Sequence, residues 1–260
     1  MRYGILNYET SGSGVPVLII HGWGIDHTVM QAAFEPVFSK TGGYKRYYID
    51  LPGMGRSEHG DIRNSDDILA LLHSFAADVI KEPFMLVGQS YGGLLARGFI
   101  RNYPEYINKL ILLCPCIIPG VQQGRTEPLR VRARDDKLLS SLSREEYDSF
   151  TQMNVMLTED VWIRYRDILM PALSRADWDC LNNVLEGSFS FDPDDIDECT
   201  VPCLIIAAKG DSVVGYKDQF DLMGKYTNST YAAIEDAGHN LQIEQPEAFE
   251  SILSSWLMTH

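Results

Sequence analysis

Gly88-Gln89-Ser90-Tyr91-Gly92, with Gly93 behind it, sets a serine where it could serve as a nucleophile. The apolar run Phe84-Met85-Leu86-Val87 precedes it and the helical pattern Leu94 to Ile100 follows. Gly-x-Ser-x-Gly between a strand and a helix describes a turn so tight that the serine is strained, its hydroxyl lifted out of the sheet. Gly88 and Gly92 supply the small residues such a turn demands two positions before and after. A serine hydroxyl is a weak nucleophile until a base takes its proton and a third group orients that base. Asp211 closes the apolar run Leu204 to Ala208 through Lys209-Gly210, and His239 lies in Asp236-Ala237-Gly238-His239-Asn240. The order serine, acid, histidine is the one described for this type of turn. Asp236 is the other carboxylate near His239, although three residues of loop make it a poor orienter.

Those residues need elements to hold them. Strand-like runs are expected at Arg2–Tyr8, Val15–Ile20, Tyr44–Ile49, Phe84–Val87, Lys109–Cys114, Pro202–Ala208 and Ser229–Ile234. Helices are expected at His27–Ser39, Asp66–Lys81, Tyr91–Asn102, Tyr216–Lys225 and Pro246–Met258. Strands that read as continuous apolar runs, such as Leu110-Ile111-Leu112-Leu113, fit a parallel sheet covered on both faces. Alternating β and α elements imply an α/β layered domain with functional loops at the carboxyl ends of its strands. The alternation lapses between about Ile117 and Cys199, where helices are expected at Pro128–Leu139, Arg144–Met156, Asp160–Leu169 and Arg175–Glu186. Turn residues at Pro119-Gly120, Gly124, Pro171 and Phe191-Asp192-Pro193-Asp194 punctuate that stretch.

Five blocks in order resemble the α/β-hydrolase fold family over nearly the whole chain. His21-Gly22-Trp23-Gly24 resembles its oxyanion loop, and Asp50-Leu51-Pro52-Gly53-Met54-Gly55-Arg56-Ser57 the loop after its next strand. The serine turn, the Asp211 loop and Gly238-His239-Asn240 with Glu244-Gln245-Pro246-Glu247 complete the set. The resemblance implies a mostly parallel sheet flanked by helices, with a helical cap over 117–199 inserted after the sixth strand. The core is then 1–116 and 200–260. It also implies Ser90 as nucleophile, His239 as base, Asp211 as acid, and the backbone N–H groups of Trp23 and Tyr91 as the oxyanion hole. His21 becomes a structural member of its loop, and Asp50 a structural residue outside catalysis. The family's other seat for the acid reads Leu113-Cys114-Pro115-Cys116 and holds no carboxylate, which favours Asp211.

These blocks also resemble esterases acting on methyl esters of acyl-carrier-bound acids. A small-molecule carboxylic ester is the expected substrate, with carbon–carbon bond or thioester hydrolysis and a ligand-binding receptor as alternatives. Ser90 argues against the dehalogenases and epoxide hydrolases of this fold, which place Asp at the turn. No metal or organic cofactor is expected. Met153, Met156, Trp162, Tyr165, Trp178 and Phe189 are candidates to line a pocket under the cap or to form the cap's own core. Glu244 and Glu247 are expected to complement the amino end of the last helix.

The 260 residues suffice for one substantial core plus an insertion. With 22 basic and 36 acidic residues the formal charge is −14, which repels nucleic acid and anionic membranes. Arg125, Arg130, Arg132 and Arg134 form a local basic cluster. It reads either as a solvated face paired with Glu127, Asp135 or Asp136, or as a greeting for an anionic substrate at the pocket mouth. Five cysteines cannot all pair, and free thiols in a reducing cytoplasm are expected. The amino terminus lacks the apolar core of a signal peptide, and no apolar run approaches bilayer length. A cytoplasmic enzyme is therefore expected.

Overall fold

The computed structural model describes residues 1–118, 125–184 and 189–260. Pro119, Gly120 and Gly124, read above as turn residues, and the end of the helix expected to reach Glu186 lie outside them. One sheet carries the molecule. Its strands are β1 (Arg2–Tyr3), β2 (Leu6–Gly12), β3 (Val15–Ile20), β4 (Tyr44–Ile49), β5 (Phe84–Gln89) and β6 (Ile107–Leu113). After a short pair, β7 (Ala133–Arg134) and β8 (Met156–Leu157), the sheet resumes with β9 (Cys203–Ala208) and β10 (Ser229–Ile234). The order across it is β1-β2-β4-β3-β5-β6-β9-β10, with β2 antiparallel to its neighbours and every pairing from β4 to β10 parallel. The expected Arg2–Tyr8 strand is two strands, because Gly4 turns the chain at φ 54° and folds β1 back onto β2.

Alternation along the strands sorts the core into two layers. Leu18, Ile20, Leu86 and Leu112 face α2 (Ser65–Phe75) and α3 (Tyr91–Asn102), burying Leu69, Leu72, Leu95 and Phe99. Val17, Ile19, Val87 and Ile111 face the opposite way, against Phe34 and Phe38 of α1 (His27–Thr41). Phe249, Leu253 and Trp256, from a helix closing the chain, complete that layer. Burying such side chains contributes ~1.5–3 kcal/mol apiece, which fixes strand order and register. α2 is shorter than the Asp66–Lys81 pattern, because its last turn widens to a π turn at Ala76–Ile80.

Between β6 and β9 the chain leaves the sheet. It forms α4 (Asp136–Ser141), α5 (Arg144–Thr151), α6 (Glu159–Arg164), α7 (Met170–Leu173) and α8 (Trp178–Val184). The helix expected at Pro128–Leu139 starts eight residues later than read, at Asp136. The backbone before it is extended, donating from Arg132 N to the Val155 carbonyl and pairing β7 with β8. Asp135 then caps α4 by accepting from the Leu138 N–H. Ser143 and Glu146 form a reciprocal capping box at α5. This segment has its own apolar cluster, Leu139, Phe150, Leu157, Val161, Trp162, Tyr165 and Leu169, which also takes in Ile25, Val29 and Ile243 of the core. Arg97 of α3, 1% exposed, fastens both ends of the segment. It donates to the carbonyls of Cys116 and Ile117 and pairs with Asp194. After β9 come α9 (Tyr216–Asp221), α10 (Leu241–Glu244) and α11 (Pro246–Thr259). Among the described residues no helix is long and apolar enough to cross a membrane.

Candidate active site

Ser90 stands between β5 and α3 at φ 52°, ψ −115°, a conformation that few non-glycine residues adopt. Its neighbours explain how the turn closes. A Cβ on Gly88 would overlap the Gly92 carbonyl, and one on Gly92 would overlap the Ile20 carbonyl at the end of β3. The serine N–H is held by the Leu113 carbonyl at 3.0 Å, and its own carbonyl accepts from Cys116 N at 2.9 Å. The strain is thereby balanced by bonds to the neighbouring strand's end.

The two other residues arrive on loops at the same sheet edge. Asp211 follows β9 and is fully buried; its Oδ1 accepts from Val213 N at 2.8 Å and Val214 N at 2.9 Å. Its Oδ2 lies 2.8 Å from His239 Nδ1, and His239 Nε2 lies 2.9 Å from Ser90 Oγ. A carboxylate only accepts, so the imidazole proton sits on Nδ1 and the Nε2 lone pair faces the serine hydroxyl. The structure thus brings together the three side chains singled out in the sequence. Asp236 is elsewhere, half exposed and facing Arg132.

Trp23 and Tyr91 meet beside the serine, their rings edge to face with centroids 5.1 Å apart. Tyr91 opens α3, whose first N–H groups have no intrahelical acceptor and carry the positive end of the helix dipole. The Tyr91 hydroxyl bonds Ser65 Oγ at 2.9 Å, and burial pushes its pKa up. His21 is fully buried, with Nε2 accepting from Leu51 N at 2.9 Å and Nδ1 donating to the Gly22 carbonyl at 2.7 Å. Burial lowers its pKa.

Asp50 follows β4 and organises the 50–57 loop from the inside. It accepts from Asn7 Nδ2, Arg56 N, and both the N–H and Nδ1 of His27. Burial opposes its ionisation, but the hydrogen bond to His27 and the proximity of His21 and His27 hold its pKa well below the carboxylate range. His27 is buried at the start of α1, where the expected helix begins. Asp26, His27 and Asp50 converge closely enough to offer three ligand atoms to a cation. Their oxygens are already engaged, however, Asp26 by Arg175 and Thr28, Asp50 by His27, Asn7 and Arg56. That donor set fits a structural knot better than a metal.

A cavity of about 770 Å³ opens over Ser90 and His239. The core lends it Trp23, Ile25, Gln89, Val213 and Asn240. The inserted segment lends Met153, Tyr165, Leu169, Leu173 and Trp178. Of the six candidate lining residues, Met153, Tyr165 and Trp178 reach this cavity. Trp162 belongs to the segment's own cluster, which Met156 flanks, and Phe189 packs on Gly98 and Phe191 in the main core. None of the four arginines is among the described residues lining the cavity. Arg125 pairs with Asp218, Arg132 with Asp236 and Arg134 with Asp136. Glu127 is taken by Lys217. The ion-paired surface reading therefore describes Arg125, Arg132 and Arg134, with mostly different partners from those expected.

Glu244 is the residue that sequence reasoning misplaced. It does not cap α11. It is 4% exposed and binds three backbone N–H groups, those of Val155, Met156 and Gly238. Burial pushes its pKa up to about 7 against the pull of those bonds. All five cysteines are free, as expected.

A strained serine at the end of a parallel strand, facing a histidine from a later loop, defines a class of hydrolytic enzymes, and the comparisons agree. The model of the alpha/beta hydrolase family matches residues 17–252, and the chain belongs to that family. It is 24% identical to the pimeloyl-[acyl-carrier protein] methyl ester esterase of Aeromonas hydrophila subsp. hydrophila, over 97% of this chain and 99% of that one. It is 34% identical to the esterase of the same name from Shewanella sp. strain MR-7, over 46% of this chain and 42% of that one. With the latter, the match thus spans less than half of the relative's length. Among solved structures, an alpha/beta superfamily hydrolase from Oenococcus oeni PSU-1 superposes with a TM-score of 0.88 at 28% identity, covering 98% of this chain and 96% of that one.

Proposed function

We propose that the chain is a serine esterase that cleaves a small carboxylic ester by two-step acyl transfer to water. The observation that carries this reading is the unbroken line of hydrogen bonds from Asp211 through His239 to Ser90, 2.8 and 2.9 Å long. His239 takes the serine proton as Oγ attacks the ester carbonyl. The backbone N–H groups of Trp23 and Tyr91 receive the oxyanion, where the start of α3 favours negative charge. His239 passes the proton to the departing alcohol, then activates the water that releases the acid. Asp211 keeps the imidazole in one tautomer and stabilises the imidazolium that forms.

The inserted segment, 117–199, acts as a cap on the core formed by 1–116 and 200–260. Its apolar side chains turn the cavity into an acyl site. Relatives named as esterases of carrier-bound methyl esters support a carboxylic ester over a carbon–carbon bond or a thioester. The cavity lining has aromatic and aliphatic walls and Asp148 as its charged group among the described residues. It suits a neutral acyl chain. Turnover of p-nitrophenyl esters from acetate to dodecanoate tests the reading, with Ser90→Ala beside the native protein. Activity should fall by at least ~10⁴-fold in the variant. Equal rates in the two proteins would overturn the assignment. Tight binding of an ester without turnover would move the protein to the receptor class.

A further inference from the structure

The inserted segment and the loop bearing His239 are joined by more than packing. Asn240 Nδ2 donates to Asn154 Oδ1 at 2.9 Å, and Arg164 Nε donates to the Ile243 carbonyl at 2.8 Å. Beside these two tethers lies Glu244, next to Ile243 in the chain, whose Oε2 accepts from Val155 N at 2.7 Å and Met156 N at 2.9 Å. Its Oε1 accepts from Gly238 N at 2.8 Å. The segments touch at backbone distance here, since a Cβ on Gly238 would overlap the Met153 carbonyl and lie 2.9 Å from Glu244 Oε1. Met153 lines the cavity, and Gly238 immediately precedes His239.

We propose that Glu244 is a positioning residue for His239, one carboxylate clamping the peptide before the histidine to the strand end of the segment that covers the cavity. The physical case is one of cost and return. A carboxyl group in so buried a site loses its hydration, and hydrogen bonds from three N–H groups replace the water. Were the need only to satisfy the Gly238 amide, a main-chain carbonyl or an asparagine would serve. Its carboxyl group instead spans two segments 89 residues apart in sequence. It fixes the height of the base above Ser90 and the position of Met153 over the cavity together. Small displacements of a reacting group are costly, ~10²-fold for about 1 Å. The carboxamide of Glu244→Gln has a single acceptor oxygen and would turn an N–H toward one of the donors, opening one side of the clamp.

The test compares native protein, Glu244→Gln and Glu244→Asp. It reads kcat and KM on the best p-nitrophenyl ester and the second-order rate at which a fluorophosphonate labels Ser90. The expected result is a loss of about tenfold or more in kcat, matched in the labelling rate, with KM moving less than about twofold. Labelling and kcat within twofold of native, with only the melting temperature lowered, would overturn the proposal and leave Glu244 a structural residue. Hydrogen exchange on the native protein covers the case in which neither variant folds. The Gly238, Val155 and Met156 amides should then share one opening free energy. Independent opening of Gly238 would overturn the clamp. The inference rests on the serine-hydrolase reading, and the two fail differently. If that reading fails, native Ser90 is not labelled; if this one fails, native and variant are labelled alike.

Discussion

Ser90, Asp211 and His239 stand on three loops at the carboxyl ends of parallel strands, whereas Met153 reaches the same cavity from a turn, and Tyr165, Leu169, Leu173 and Trp178 from short helices, outside the sheet. Each polar side chain of the floor, or the peptide that carries it, is pinned by hydrogen bonds. The Ser90 amide holds to β6, Asp211 to two amides of its own loop, and the peptide before His239 to Glu244. The covering residues are held mainly by an apolar cluster around Phe150 and Trp162, with a few polar tethers to the core. Under the proposed mechanism this difference is a division of labour. Proton transfer needs atoms fixed to fractions of an ångström, which directional bonds provide. Enclosing an acyl chain needs shape and dryness, which dispersion and area provide with more tolerance.

The largest effect should come from breaking the floor without changing its shape. Asp211→Asn keeps the size of the side chain but replaces an acceptor with an amide. The imidazole is then free to take the other tautomer, with its proton toward Ser90. A comparable replacement in serine proteases costs ~10⁴-fold in kcat, and a loss of that order is expected here. KM and the thermal midpoint should move little. A loss below about tenfold would mean that Asp211 merely holds the Val213-Val214 turn.

Breaking the covering segment should do the reverse. Arg97→Ala leaves Asp194 and the carbonyls of Cys116 and Ile117 without their shared donor. Removing one partner of a buried ion pair costs about 3 kcal/mol or more, here to be read from urea unfolding. The folded fraction should keep most of its kcat, because Arg97 touches neither His239 nor Ser90. A loss of kcat as large as that of Asp211→Asn would erase the distinction between the two regions.

Glu244 joins those regions, and its ionisation gives the comparison a pH axis. Its pKa rises from 4.5 to about 7, burial being the main cause, so the folded chain keeps a proton that the unfolded chain has released. Its stabilising contribution is then complete below about pH 4.5 and lost as pH rises through about 7, up to ~3 kcal/mol. His27, whose burial is outweighed by its bond to Asp50, also has a raised pKa and acts in the same direction. Asp50, Asp26 and Glu35, all lowered, lose their contributions only at more acid pH. The decisive quantity is therefore the difference in slope of unfolding free energy against pH between native protein and Glu244→Gln from pH 5 to 8. Native stability should fall more steeply with rising pH. Identical slopes would mean that Glu244 is ionised throughout.

The floor was legible because its chemistry is local. A serine at φ 52° needs the glycines that Gly88 and Gly92 supply, and the strands on either side are apolar enough to announce themselves. Asp211 and His239, which the fold sets beside Ser90, stand out the same way, each in a loop directly after or near a strand. The covering segment was less legible. Pro128–Leu139 carries helical spacing, yet its first half is drawn straight by carbonyls more than twenty residues away, at Val155 and Leu157. The partners of the basic cluster were misread for the same reason, since Asp218 and Asp236 come near only through the fold. Glu244 is the sharpest case. Beside Pro246 it has the appearance of a helix-start carboxylate, and only tertiary contact reveals the Val155 and Met156 amides as its partners.

The smallest effect should come from the rim of the covering segment. Trp178 is 41% exposed, lines the cavity, and lies against Gly24, where a Cβ would overlap its ring. Its indole N–H is held by the Leu173 carbonyl at 3.2 Å. If this region acts by enclosing apolar surface, Trp178→Ala removes contact with the acyl chain and little else. That is about 1 kcal/mol, a roughly fivefold rise in KM for long esters, with acetate and kcat almost unchanged. A chain-length series separates this from the alternative. Should kcat fall equally for acetate and dodecanoate, Trp178 would be acting through Gly24 on the Trp23 amide. The covering segment would then share in the fixing of charge as well as in the exclusion of water.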